Sequence, residues 1–111
     1  MIETTAGPEL TAEEQKDAIR KRRDEIDAAF VTLWDERNRL AAKMGVMQRE
    51  DGEPVYNHGD DLKVRGRFGE LCQAHGIPRA LGQIVIGTVV ATGYEAQRDV
   101  LQTNPPEIAG Q

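Results

Sequence analysis

The chain has 111 residues, 39% of them apolar and 30% charged, with 19 acidic against 14 basic side chains and a net charge of −5. A soluble protein with one core is the most this length supports, and no uncharged apolar run is long enough to span a bilayer. The acidic balance argues against a nucleic-acid or anionic-membrane partner, and the single cysteine, Cys72, excludes an intrachain disulfide and a CxxC metal or redox site.

Only 5% of the residues are aromatic, so the core has to be aliphatic, which suits helices better than sheet. The N-terminus has neither a basic flank nor an apolar segment, so no signal peptide or anchor is expected and the cytoplasm is the expected compartment. Residues 1–10 and 102–111 are polar, turn-rich and unpatterned, and read as tails around one domain at 11–101.

The domain opens at Thr11. Thr-Ala-Glu-Glu fits a capping box in which Glu14 reaches back to the start of the helix, and no Pro or Gly interrupts the chain until Gly45. Ile19, Ile26, Leu33, Leu40 and Met47 recur every seven residues, with Phe30 and Met44 at heptad offset, which is a coiled-coil-like seam. A helix of about 35 residues is roughly 50 Å long, whereas a compact chain of about 100 residues has a radius of gyration near 13 Å. Such a seam cannot be buried within one chain, so a homodimer is expected.

Residues 49–59 carry an Asp-Gly turn signal and Pro54 and read as a loop. A second helix is predicted from Asp60 to His75, with Asp60 and Asp61 at its positive end and Val64, Phe68 and Leu71 on one face. Gly66 and Gly69 weaken it by about 1 kcal/mol each relative to Ala. Gly76 stops it, and Pro78 suits the first turn of a third helix through Leu81, Ile84, Val85, Thr88, Val89, Thr92 and Ala96 to about Leu101.

Arg23 and Arg37 fall on the seam, where a charge is costly unless something anionic meets it. Each either snorkels out or pairs with a carboxylate such as Asp27 or Glu36, or, for Arg37, faces an anionic ligand held between helices. Gln97 is a polar residue on an otherwise inward stripe of Val89, Val90, Gly93 and Val100, and reads either as solvated or as a buried donor. His58 and His75 have no partners at metal spacing, so no metal is expected. Trp34 and Tyr94 read as packing residues, and Tyr56 lies in the loop without a pattern to assign it.

Long helix, loop, short helix and long helix, with Ile-Asp-Ala at 26–28, Asp-Glu-Arg at 35–37, Leu-Ala-Ala-Lys-Met-Gly at 40–45 and Pro-Val at 54–55, resemble the all-helical chorismate mutases in register from about Ala18 to Leu101. The resemblance implies an all-α chain in an intertwined homodimer that rearranges chorismate, a small dianion, to prephenate without any cofactor. It further implies that Arg37 and the partner's Arg20 grip the carboxylates, that Asp61 receives the ring hydroxyl, and that Gln97 donates to the ether oxygen. Asn57 stands where the family commonly has a loop aspartate.

Three positions depart from the family pattern. Gln48 replaces a lysine and Asp60 an arginine, which lowers the pocket's formal charge by three units relative to the family, and Gly93 replaces a small hydroxyl residue. Loss of one charge-assisted contact in a dry site costs about 3–4 kcal/mol of barrier, so low activity is expected. A relative acting on 4-amino-4-deoxychorismate, whose ammonium suits Asp60, and a non-catalytic binding or regulatory module are the alternatives.

Overall fold

A computed structural model describes residues 9–103, and these contain three helices and no strand. Apart from residues 9, 10, 102 and 103, the tails expected at 1–10 and 102–111 lie outside the described residues. No helix among those described is long and apolar enough to cross a membrane.

Helix α1 spans Ala12–Glu50. It starts where the capping box predicts: the Glu14 backbone N–H donates to Thr11 Oγ1 at 3.1 Å, and the Thr11 N–H donates to Glu14 Oε1 at 2.8 Å. The two bonds satisfy orphan donors of the first turn and hold the Glu14 carboxyl below its ordinary range, first through the Thr11 backbone and then through the Thr11 side chain. The helix then runs through Gly45 and Met47 because nothing breaks it until Gly52, whose φ of 73° closes the Asp51-Gly52 turn.

Helix α2 is His58–Ala74, two residues ahead of the predicted start. The cap is Asn57, whose side-chain oxygen accepts from the Asp60 N–H at 3.0 Å, so His58 falls in the first turn and not in the loop. At the other end Gly76 has φ 75°, its N–H donates to Gln73 O, and the Ile77 N–H reaches Cys72 O. That paired arrangement terminates helices on a left-handed glycine. Helix α3 is Arg79–Thr103.

The chain divides into two compact units, Met1–Leu33 and Trp34–Gln111. In the first unit α1 is exposed throughout and carries short-range ion pairs such as Lys16–Glu13 and Arg22–Glu25. In the second, α2 and α3 pack around Ile86, Val89 and Val90, covered by Trp34, Val64, Phe68 and Tyr94. Trp34 Nε1 donates to Thr92 Oγ1 at 2.8 Å, which ties the continuation of α1 to α3 by a polar bond beside this core.

On α2 the inward face is Asp61, Val64, Phe68, Gly69 and Cys72, while Leu71 points outward at 52% exposure. Leu71 was expected inward. Cys72 takes that place because Gly82 of α3 has no side chain, and a Cβ there would collide with Cys72 Sγ. Gly66 and Gly69, read as weaknesses, are the seat of Arg79: a Cβ on Gly69 would lie 2.9 Å from Arg79 Cγ, and Arg79 Nη2 reaches Gly66 O at 3.5 Å. Along α1 the seam is uncovered. Ile19, Ile26, Phe30 and Leu33 in the first unit, and Leu40, Met44 and Met47 in the second, are each more than half exposed.

Candidate functional site

A cleft of about 300 Å³ opens in the second unit, walled by all three helices. Helix α1 supplies Arg37, Leu40, Ala41 and Met44, and α3 supplies Val90, Gly93, Tyr94 and Gln97. Both sets follow the spacing of one helical stripe. Helix α2 adds Asp60, Asp61 and Val64 from its N-terminal turns.

Arg37 is half-buried, and no carboxylate of the described residues forms an ion pair with it, neither Asp27 nor Glu36. Its guanidinium lies along α3, with Nη1 3.8 Å from where a Cβ on Gly93 would sit. That Cβ would also stand 3.4 Å from Ala41 Cβ, an ordinary contact, so glycine is not sterically required at position 93.

Gln97 is 5% exposed and its Oε1 is buried without a hydrogen-bond partner. An unsatisfied buried acceptor costs about 1–3 kcal/mol. A half-turn of the carboxamide exchanges acceptor for donors, so the group can meet either kind of ligand atom. Its position is fixed from behind by Gly45, the buried glycine of α1, where a Cβ would come 3.0 Å from Gln97 Cγ. The inward reading of Gln97 therefore holds, and the solvated one does not.

Asp61 is 7% exposed, and Arg65 one turn later holds it: Nε donates to Oδ1 at 3.2 Å and to Oδ2 at 3.1 Å. Asp60 lines the cleft beside it but is exposed. Arg37, Asp61 and Gln97 thus converge, while three other expected site residues stand elsewhere. Asn57 is exposed and its side-chain oxygen caps α2. Gln48 does not line the cleft; it is half-buried with an unpartnered Oε1, and it continues the α1 stripe of Arg37, Ala41 and Met44 by one further turn. Arg20 lies in the first unit, exposed and paired with Asp17 at 2.8 Å. Among the described residues no group of three or more His, Cys, Asp or Glu side chains is placed to hold a metal ion.

Tyr94, read from sequence as packing only, lines the cleft as well as covering the core. Tyr56 meets it edge-on at a centroid distance of 5.2 Å and bonds His58 Nδ1 through its hydroxyl at 3.1 Å. Burial, then the charge of Asp61, then Tyr56 and Asp60 push the Tyr94 phenol above its ordinary 10.0, with Arg65 opposing. Absorbance titration in a Tyr56→Phe background is expected to place Tyr94 above 10, and Asp61→Asn to lower it only partly, since burial is the larger cause. The stability linked to this group is complete below the unfolded value and is lost as pH rises through the higher folded one.

No family model matches the chain, and no solved structure matches it. Among curated proteins, the chain is 26% identical over 84 residues to one named chorismate mutase from Methanocaldococcus jannaschii, an alignment that covers 76% of this chain and 85% of that protein. The likeness to a chorismate mutase read from the chain's own residues is met by this comparison, and the all-helical structure is consistent with it.

Proposed function

We propose that the chain is a chorismate mutase-like enzyme of modest activity, working as a homodimer and rearranging chorismate to prephenate in the cleft between its helices. The observation that carries the reading is the meeting of a cation without a carboxylate partner among the described residues, Arg37, with two buried polar side chains, Asp61 and Gln97, from three different helices.

In this rearrangement one C–O bond breaks as one C–C bond forms within a single molecule, so the protein needs no nucleophile and no general base. It acts by holding the compact reactive conformer and by stabilising negative charge that grows on the ether oxygen. In our reading Arg37 binds one substrate carboxylate through a charged, planar contact. Arg20 of one copy reaches the cleft of the other to bind the second. Asp61, an acceptor when ionised, accepts a hydrogen bond from the ring hydroxyl, and the Gln97 carboxamide turns its N–H toward the ether oxygen. Gln48 supplies a neutral donor at the end of the α1 wall, and Asn57 keeps its amide N–H free to reach the ligand while its oxygen caps α2.

The uncovered seam of α1 supports the dimer, because seven large apolar side chains, from Ile19 to Met47, stand more than half exposed on one helix. Sedimentation at micromolar concentration is expected to give two chains, and titration calorimetry with chorismate one ligand per chain. A folded monomer, or a dimer that takes up no chorismate, removes the respective part of the reading.

One observation favours a second substrate. Asp60 and Asp61 both line the cleft, against the single cation Arg37, and an ammonium on the ring of 4-amino-4-deoxychorismate suits two neighbouring carboxylates better than a hydroxyl does. Faster turnover of that analogue than of chorismate would make it the substrate.

A further inference from the structure

Asp61 presents an unusual arrangement behind the cleft. Its side chain is 8% exposed, and a carboxylate so placed is costly unless a donor meets it. The donor is Arg65, whose single Nε–H is shared between both carboxylate oxygens at 3.1 and 3.2 Å. A carboxylate held at both oxygens is not free to turn about its terminal torsion, so the lone pairs left over keep a fixed direction.

The guanidinium that does this lies against α3 at Gly87. A Cβ built there would come 2.7 Å from Arg65 Nη1, so the end of the arginine would have to shift, and 3.6 Å from Cζ, an ordinary contact. Glycine in the middle of a helix is unfavourable compared with alanine. At position 87 it has a steric reason, which is the room taken by Arg65. Arg65 itself does not line the cleft.

We propose that Arg65 is a positioning residue: it fixes the Asp61 carboxylate at the cleft wall and acts on the ligand only through Asp61, and Gly87 holds open the space its guanidinium occupies. The inference rests on the functional reading above, in which Asp61 meets the hydroxyl or ammonium of the ligand. It sets Arg65 apart from an ordinary surface partner at i+4, whose loss changes helix stability slightly and nothing else.

The test uses the full-length dimer with chorismate as probe, in Arg65→Gln, Arg65→Lys and Gly87→Ala. Calorimetry is expected to show chorismate binding weakened about tenfold in Arg65→Gln, because a misplaced polar group loses its contact. Arg65→Lys should recover part of that loss, and Gly87→Ala, which displaces the guanidinium, should fall between. A second readout needs no ligand. Tyr94 feels Asp61 and Arg65 with opposite sign, so its absorbance titration in a Tyr56→Phe background should move further upward in Arg65→Gln and, by less, in Gly87→Ala. Unchanged affinity and an unchanged Tyr94 titration in folded Arg65→Gln overturn the proposal. Should that variant not fold, Gly87→Ala carries the same two readouts and the same overturning result. A parent protein that binds no chorismate defeats the functional reading instead, and a crystal structure of Arg65→Gln then decides whether Arg65 holds Asp61 in place: an unchanged Asp61 rotamer overturns the proposal.

Discussion

Replacing Arg37 with alanine is expected to weaken the binding of chorismate by at least about 2 kcal/mol, roughly 30-fold, and to leave the helices intact. Arg37 is half-buried on the cleft wall without an ion-pair partner among the described residues. On the proposed reading its removal deletes a contact that the ligand completes, and it leaves no carboxylate of the described residues orphaned. Calorimetry with the variant and the parent reads the effect directly. Equal affinities would mean that Arg37 is a solvated seam residue.

Gln48→Lys is expected to raise turnover of chorismate roughly 10-fold or more while changing its affinity less. The residue stands one turn beyond Met44 on the stripe that forms the α1 wall, with a buried, unpartnered Oε1. On the proposed reading a lysine there brings a cation toward the end of the cleft, where negative charge would grow in the transition state. Steady-state kinetics on chorismate and on 4-amino-4-deoxychorismate separate two outcomes. A gain on chorismate alone, with a loss on the amino analogue, would identify the analogue as the ligand to which the acidic cleft is matched.

Local signals in the sequence were enough for the framework. The capping box at Thr11 and Glu14, the unbroken run beyond it, the glycine stop at Gly76 and the placement of Pro78 all act within a few residues of themselves, so their consequences are readable from neighbours in the chain. The start of α2 was placed late because Asn57, a strong cap, sits in a stretch that otherwise reads as loop, and the two acids after it look like the beginning. Arg37 and Gln97 were legible because a polar residue on an apolar stripe is visible as an exception to its own period, whereas Asp61 read as an ordinary acid at a helix start and joined the expected site only through the family resemblance.

What was not legible depends on pairs of helices. The glycines at 66, 69, 82 and 87 read as weak points or went unnoticed, yet three make room for a side chain of another helix, Arg79 over Gly69, Cys72 under Gly82 and Arg65 against Gly87, while Arg79 reaches the Gly66 carbonyl. A glycine's own neighbours in sequence do not say which side chain will fill the space it leaves. Leu71 lies outward and Cys72 inward for the same reason, and Tyr94 lines the cleft with Tyr56, a loop residue without a pattern, packed on its edge.

The most direct measurement is the loss of chorismate absorbance on addition of the purified protein, with the product identified by its chromatographic separation from chorismate and by its acid-catalysed conversion. The account predicts that chorismate disappears at a rate proportional to protein concentration, that prephenate is formed, and that no added metal or cofactor is required. Saturable binding of chorismate with neither it nor its 4-amino analogue consumed would contradict the account and make the chain a binding module.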